Sequence, residues 1–157
     1  MGGNDKMIKK YVAGFLFSEN GEQVALIKKL KPEWQRDRFN AIGGKVEEGE
    51  TELEAMRREF EEEAGLDVPD WKLFCVLNGN DASYVKGGGD FEIHFFSHFS
   101  DDVYKVKKME IEDITCINVK MVLHVYGIGN IIPNLTWLIP LALQKGLVAK
   151  VHESDNT

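Results

Sequence analysis

Residues 44–66 read GKVEEGETELEAMRREFEEEAGL, and this stretch decides both the fold and the chemistry expected of the chain. Thr51, followed three residues later by Glu54, forms a capping-box pattern that marks the start of a helix. Gly65 suits the left-handed backbone position at which helices commonly end. The stretch therefore predicts an α-helix from Glu52 to Ala64.

Glu59, Glu62 and Glu63 are spaced so that they lie within one arc of the predicted helix. An adjacent apolar stripe can pack on a sheet, and it consists of Leu53, Met56, Phe60 and Ala64. Carboxylates beside a buried stripe are held in place and do not move freely in solvent. They are hard oxygen ligands of the kind that Mg²⁺ or Mn²⁺ prefers.

The charge distribution also indicates a cation site. The chain of 157 residues has a net charge of −7, and residues 47–63 hold nine of its 26 acidic residues but only two of its 19 basic residues. Outside that segment, acidic and basic residues balance at 17 each. Like charges along a helix repel one another, and a divalent cation relieves the repulsion. The balance elsewhere leaves no basic face for a nucleic-acid polymer.

The stretch matches the Nudix pattern G-x5-E-x7-R-E-U-x-E-E-x-G-U, where U is a bulky apolar residue. The matching residues are Gly44, Glu50, Arg58, Glu59, Phe60, Glu62, Glu63, Gly65 and Leu66. The chain therefore resembles the Nudix hydrolases, which implies Mg²⁺-dependent cleavage of a phosphoanhydride bond. By this resemblance, Arg58, Glu59 and Glu62 are catalytic, and either of the two glutamates is the general base. Glu59, Glu62 and Glu63 hold the metal, together with a backbone carbonyl at Gly43.

Members of this family also use an acidic residue outside the pattern. Glu112, in the stretch MEIEDITC, is the best match for this distal metal ligand, and Glu110 and Asp113 are its rivals. All three can equally be surface carboxylates, so the resemblance narrows the choice without deciding it.

Apolar and alternating runs predict the remaining elements. The predicted strands are residues 11–17, 23–29, 71–77, 91–99 and 114–119. Residues 134–145 predict a closing helix that Pro140 should kink or break. We expect an α/β (α+β) chain with the Nudix fold, in which a mixed β-sheet lies between helices.

The chain contains no repeat, no linker and no apolar run long enough for a membrane span. We expect a single domain over residues 1–157, with flexible ends at 1–7 and 152–157. Cys75 and Cys116 match no metal-ligand spacing and suit two reduced thiols. Reduced thiols suit the cytoplasm, and the resemblance to the Nudix hydrolases implies a small nucleotide substrate; we expect a monomer or homodimer without a membrane partner.

The flanks of the stretch bear on the substrate. RFNAIGGKVEEGET at 38–51 and IPNLTWLIPLALQKG at 132–146 resemble the MutT-like hydrolases of oxidised purine nucleoside triphosphates. By that resemblance, the Asn40 amide reads a purine edge and Trp137 stacks on the base. A loop-capping asparagine and a core tryptophan are the alternatives. The acidic pair of that group is replaced here by Asn134 and Leu135, so no preference among oxidised bases carries over. The predicted substrate-binding set is Asn40, Lys45, Phe91, Ile93, Asn134 and Trp137.

Other substrates and one other class of function stay open. Dinucleoside polyphosphate hydrolases often have a tyrosine 16 to 18 residues after the pattern, and Tyr84 lies 18 residues after Leu66. ADP-ribose hydrolases usually have a proline in that region, and none occurs between Pro69 and Pro133. Regulatory Nudix domains that only bind a nucleotide typically lose glutamates that this chain keeps. The sequence favours hydrolysis of a nucleoside triphosphate to a monophosphate and pyrophosphate.

Overall fold

Strands precede, separate and follow the helices in the computed structural model of the protein, which describes residues 8–80, 89–124 and 131–153. The strands are β1 Lys9–Phe17, β2 Gln23–Lys28, β3 Phe39–Asn40, β4 Ile42–Lys45, β5 Lys72–Asn80, β6 Asp90–Phe99, β7 Asp113–Asn118 and β8 Ala149–Glu153. The helices are α1 Glu52–Ala64, α2 Val119–His124 and α3 Leu135–Leu143, with short 3-10 helices at Glu33–Gln35 and Asp101–Lys105.

The eight strands belong to one mixed sheet. β1 lies in its interior, parallel to β6 on one side and antiparallel to β2 and β4 on the other. β5 runs antiparallel to β6 and parallel to β8, and both β3 and β7 pair antiparallel with β2. The predicted mixed sheet is therefore confirmed.

Alternating side chains of β1 and β6 give the sheet two buried faces. On one face, Phe15 and Phe95 pack in a core that includes residues of α2 and α3. On the other face, Leu16 and Phe96 pack in a core that includes α1. Because neighbouring residues of a strand point to opposite faces, the same two strands supply both cores. The sheet thus lies between helices, as the sequence predicts.

Helix α1 begins and ends where the sequence predicts. The Glu54 N–H donates to the Thr51 hydroxyl at 3.1 Å, and the Thr51 N–H donates to the Glu54 carboxylate at 2.9 Å. Gly65 has a φ of 72°, and its N–H donates to the Glu61 carbonyl at 3.0 Å. Both ends therefore satisfy backbone groups that have no partner inside the helix.

One side of α1 is buried against the sheet, and its buried residues are Ala55, Met56, Phe60 and Ala64. Burying a side chain as large as Met56 or Phe60 contributes about 1.5–3 kcal/mol, so this side anchors the helix. Leu53 is 46% exposed, and its predicted place in the buried stripe is wrong. Ala55 is buried in place of Leu53, because the buried side of α1 rotates about the helix axis between the first and the last turn.

One strand extends beyond its predicted end, and another lies where no strand is predicted. β5 begins at Lys72 and continues to Asn80, beyond the predicted end at residue 77. His152, predicted to lie in a flexible end, belongs to β8 and pairs with Asn78 of β5. The edge of β5 that does not pair with β6 supplies backbone hydrogen-bond partners for β8. The two strands are far apart in the sequence, so the short sequence of β8 does not predict this pairing. Residues 1–7 and 154–157 and Tyr84 lie outside the described residues.

Helix α3 continues through Pro140 and ends at Leu143, so the predicted break is absent. Leu138 and Ile139 before the proline and Ala142 after it are buried, and these contacts hold both parts of the helix on the sheet. Within the described ranges, α3 and the other helices are too short or too polar to span a membrane.

Candidate active site

Arg58 joins the carboxylates of the opening stretch into one network. Its Nε and Nη2 donate to the two oxygens of Glu50 at 2.6 and 2.9 Å. Its Nη1 donates to Glu59 at 2.9 Å and to Glu62 at 3.3 Å, and Nη2 also donates to the Lys45 carbonyl at 3.1 Å. The hydrogen bond to Glu50 is the main reason that the pKa of Arg58 is raised. A permanently charged guanidinium therefore fixes two of the predicted site glutamates.

Glu59 packs directly against β4. A Cβ atom at residue 44 would collide with the carboxyl group of Glu59, so glycine is required for this close approach. Burial raises the pKa of Glu59, and the hydrogen bond from Arg58 opposes that shift. The carboxylate is thus partly withdrawn from water and held between helix and strand.

Glu63 lies one turn further along α1, and its pKa is strongly raised. Burial is the main cause that raises its pKa to about 7. The negative charges of Glu59, Glu112 and Glu110 also raise the pKa, whereas the positive charge of Lys29 lowers it. Its Oε2 is buried without a hydrogen-bond partner among the described residues. Such an oxygen costs about 1–3 kcal/mol when it stays unpaired. A cation bound there would remove this cost.

The loop before β7 brings two of the three distal candidates to Glu63. Glu110 and Glu112 line a cavity of about 240 Å³ together with Glu63. Asp113 instead pairs with Lys108 at 3.0 Å and is not among the described residues that line this cavity. The geometry therefore separates Asp113 from its two rivals.

Both carboxylate oxygens of Glu112 have partners on the segment that follows β2. Oε1 accepts a hydrogen bond from Lys29 Nζ at 3.2 Å, and Oε2 accepts one from the Leu30 N–H at 2.6 Å. These bonds hold Glu112 beside the α1 carboxylates. The hydrogen bond from Lys29 also places one positively charged group among several carboxylates.

A second group of metal-ligand types lies near the start of α1. Ligand atoms of Glu52, Glu92 and His94 lie within 4.8 Å of one another, and this is the one such tight group among the described residues. The carboxylates of Glu59, Glu62 and Glu63 do not form such a tight group. We nevertheless consider them the better magnesium site, because Mg²⁺ prefers ligands that are all oxygen. Lys10 also lies 3.5 Å from Glu52 and already supplies a cation there.

A cleft of about 270 Å³ lies on the face of the sheet opposite α1. Its walls are largely apolar and include Ile93, Phe95 and Leu138. Strand β4 forms one side, and its residues Gly43, Gly44 and Lys45 all line the cleft. Because Gly44 also contacts Glu59, β4 connects the cleft with the carboxylates of α1.

Four of the six predicted substrate-binding residues line this cleft: Asn40, Lys45, Ile93 and Asn134. Phe91 is 1% exposed and lies in the core. Trp137 packs against the same core, and its Nε1 donates to Asn134 at 3.3 Å. Neither aromatic residue is among the described residues that line the cleft.

Sequence reasoning missed several residues that line the cleft, among them Lys29, Trp34 and Gln35. Residues 31–38 read as a polar loop, and Trp34 is an aromatic residue in that loop, close to the predicted base-reading Asn40. That combination is the signal that could have found Trp34. Lys29 lines both this cleft and the acidic cavity, a relation that sequence spacing does not reveal.

Several solved structures share this fold. The MutT protein from Bacillus halodurans has a TM-score of 0.68 at 18% identity, with 94% of this chain and 91% of that chain covered. The NUDIX domain of Shewanella oneidensis NrtR, solved with ADP ribose, has a TM-score of 0.73 at 16% identity, with 89% of each chain covered. The C. elegans Ap4A hydrolase has a TM-score of 0.56 at 16% identity, with 86% and 96% covered. At these identities the likeness establishes the fold. No curated protein matches the sequence.

A NUDIX domain match and hydrolase neighbours in fold support a pyrophosphohydrolase that acts on phosphoanhydride bonds of nucleotides. The family model of the NUDIX domain matches residues 7–127, which is more than half of the chain. The chain belongs to the NUDIX family. Members of this family generally use a divalent metal ion.

Proposed function

We propose that the protein hydrolyses a nucleoside triphosphate, oxidised purine forms included, to a nucleoside monophosphate and pyrophosphate in an Mg²⁺-dependent reaction. The position of β4 is the observation that carries this proposal. Gly43, Gly44 and Lys45 line the cleft, and Gly44 also contacts the carboxyl group of Glu59. A nucleotide with its base in the cleft would extend its phosphates past β4 toward the α1 carboxylates.

The carboxylates of Glu59, Glu62 and Glu63, with Glu112 and a Gly43 carbonyl, would hold the metal ion. These donors are all hard oxygen atoms, which suits Mg²⁺ and also Mn²⁺. The buried Oε2 of Glu63, which has no hydrogen-bond partner among the described residues, supports the same assignment. When bound, the ion polarises phosphate oxygens and lowers the pKa of water.

The remaining tasks fall to side chains that surround these carboxylates. Arg58 holds Glu59 and Glu62 in place, and either glutamate can accept the proton of the attacking water at a carboxylate oxygen. Glu62 is 50% exposed and Glu59 is 14% exposed, so Glu62 is the more accessible to water. Lys29 and Lys45 place two positive charges between cleft and carboxylates, where the charge of a triphosphate would lie.

Two other nucleotide classes contain the same kind of bond. NrtR from Shewanella oneidensis was solved with ADP ribose, and the C. elegans relative in fold is an Ap4A hydrolase. The carboxylates of α1 would serve either substrate, because the reaction at the phosphoanhydride is the same. The residues that line the cleft must therefore decide among them.

A substrate panel tests the proposal. We would incubate the protein and Mg²⁺ with dGTP, 8-oxo-dGTP, diadenosine tetraphosphate and ADP-ribose, and follow pyrophosphate and monophosphate release. EDTA and the Glu62→Gln variant serve as controls. We expect pyrophosphate from a triphosphate only with active protein and metal. Faster turnover of ADP-ribose than of any triphosphate would contradict the proposed substrate, and absence of metal-dependent turnover would contradict the hydrolase function.

A further inference from the structure

Three side-chain amides line the cleft, and each has its oxygen atom engaged within the protein. The Asn40 oxygen accepts a hydrogen bond from the Ala41 N–H at 2.7 Å. The Asn134 oxygen accepts one from the indole N–H of Trp137 at 3.3 Å. The Gln35 oxygen accepts one from the Asn40 Nδ2 at 3.0 Å.

Two of these orientations are fixed by groups that can only donate. A backbone N–H and an indole N–H have no acceptor atom, so the oxygens of Asn40 and Asn134 must face them. The nitrogen of Asn40 then faces Gln35, which turns the oxygen of Gln35 toward it. The two-fold ambiguity that usually attends side-chain amides is thus resolved by their partners.

The polar side-chain groups left for a ligand are therefore mainly donors. Each amide oxygen already accepts one hydrogen bond, whereas the amide nitrogens keep N–H groups for a ligand. The charged residues of the cleft, Lys29 and Lys45, also only donate, and no carboxylate occurs among the described residues that line it.

We propose that this cleft selects bases that present acceptors, as 6-oxopurines do, over bases that present an amino group, as adenine does; the inference rests on the proposed triphosphatase function. Guanine and hypoxanthine offer O6 and N7 as acceptors on one edge, whereas adenine offers N7 beside an amino donor. If the amino group of adenine faces the amide N–H groups of the cleft, a donor faces a donor. Donors of both the base and the protein then stay unpaired. Oxidation of guanine at C8 puts a hydrogen on N7 and adds an O8 acceptor elsewhere, so the O6/N7 edge loses an acceptor and gives 8-oxoguanine no advantage over guanine at this edge.

ITP and ATP form the matched pair of substrates for this inference, because their bases differ only at position 6 and in the adjacent N1 proton. We expect kcat/KM for ITP to exceed that for ATP by at least about 10-fold. GTP should behave like ITP, 7-deaza-GTP should fall below GTP, and 8-oxo-dGTP should be no better than dGTP. Equal values for ITP and ATP would overturn the inference and leave the triphosphatase function standing.

Binding measurements keep the inference testable if no triphosphate is turned over, an outcome that would contradict the proposed function alone. We would measure the affinities of IMP and AMP by calorimetry. Tighter binding of IMP, by about 10-fold, supports the selection of acceptors. Equal affinities overturn it.

The Asn40→Asp variant replaces one hydrogen-bond donor of the cleft with an acceptor, which opposes the proposed preference. The carboxylate still accepts from the Ala41 N–H, but its second oxygen replaces the amide NH2 group with an acceptor. We expect the ITP to ATP ratio of kcat/KM to fall by about 10-fold. Asn118→Asp is the control, because its oxygen accepts from the Lys120 N–H at 2.9 Å and the residue is not among those described as lining the cleft. Its ratio should not change.

Asn134→Asp provides a second test at a separate amide of the cleft, and it stands in for Asn40→Asp if that variant does not fold. The same decrease in the ITP to ATP ratio is expected. A ratio that stays at the wild-type value in the folded cleft variants would overturn the inference, because the amide N–H groups would then have no part in base selection.

Discussion

The carboxylate face of α1 and the cleft on the opposite face of the sheet meet at β4, yet they are constructed differently. The carboxylate face comes from one continuous stretch of sequence and is cross-linked by Arg58 through Glu50, Glu59 and Glu62. The cleft is assembled from β1, the segment after β2, β3, β4, β6 and the start of α3. The proposed catalytic site is thus encoded locally, whereas the proposed base site depends on how distant segments pack. Substitutions should accordingly act on turnover at one region and on binding at the other.

The largest effect is expected at the carboxylate face. In the proposed reaction, the metal and the attacking water require the charge that Glu62→Gln removes, and we expect kcat to fall by about 10³-fold or more, since several kcal/mol of transition-state stabilisation would be lost. Glu61→Gln is the control, because Glu61 is an exposed residue of the same helix. Steady-state kinetics would measure both. A Glu62→Gln variant with kcat close to that of wild type would contradict the assignment of turnover to the carboxylate face.

Arg58→Lys should have the next largest effect, a decrease in kcat of about 100-fold, because lysine cannot hold Glu50 by two bonds and also reach Glu59. Arg57→Lys is a closely matched control. Arg57 makes a two-bond contact with Asp67 at 2.6 and 2.7 Å, but that contact is exposed on the outer side of α1. Its replacement should change kcat by less than about 2-fold. Similar losses in both variants would mean that Arg58 acts through helix stability alone.

At the cleft, Trp34→Ala should raise KM for a nucleoside triphosphate by about 10-fold and leave kcat nearly unchanged, since stacking of a base on an aromatic residue contributes about 1–3 kcal/mol. Tyr104→Ala is the control, because Tyr104 is an exposed aromatic residue that is not among the residues described as lining the cleft. Measurement of KM and kcat separates the two regions. A loss confined to kcat in Trp34→Ala would contradict the assignment of Trp34 to binding.

The smallest effect is a pH-dependent change in stability at Glu63. Its pKa is raised from 4.5 to about 7 in the folded protein, so the folded state binds this proton more tightly than the unfolded chain does. The stability that Glu63 contributes is therefore complete below pH 4.5 and is lost as the pH rises through 7.

Glu63→Gln removes this loss. At pH 8 with EDTA, we expect the variant to be more stable than wild type by about 1 kcal/mol, less than the full shift implies because the side chain is partly accessible. The difference should shrink toward pH 5. Urea unfolding at both values measures it, and Glu61→Gln should show no such trend. Greater stability of wild type at pH 8 would show that a protein cation already neutralises Glu63.

The sequence predicts the carboxylate face far better than the cleft, for physical reasons. The capping box at Thr51, the end at Gly65 and the spacing of the glutamates are local features, and local geometry determines them. The exposure of Leu53 and the strand pairing of His152 depend on where other elements lie. Trp34 and Gln35 line the cleft together with residues of β1, β4 and α3, an arrangement that sequence spacing does not reveal.

The dual contact of Gly44 has an evolutionary consequence. A change in the backbone of β4 would disturb substrate binding and turnover at once, so selection has little freedom there. Trp34, Gln35, Asn134 and Leu138 line the cleft from segments that take no part in the Arg58 network. New nucleotide preferences can therefore arise by drift in those segments while the hydrolytic machinery is inherited unchanged.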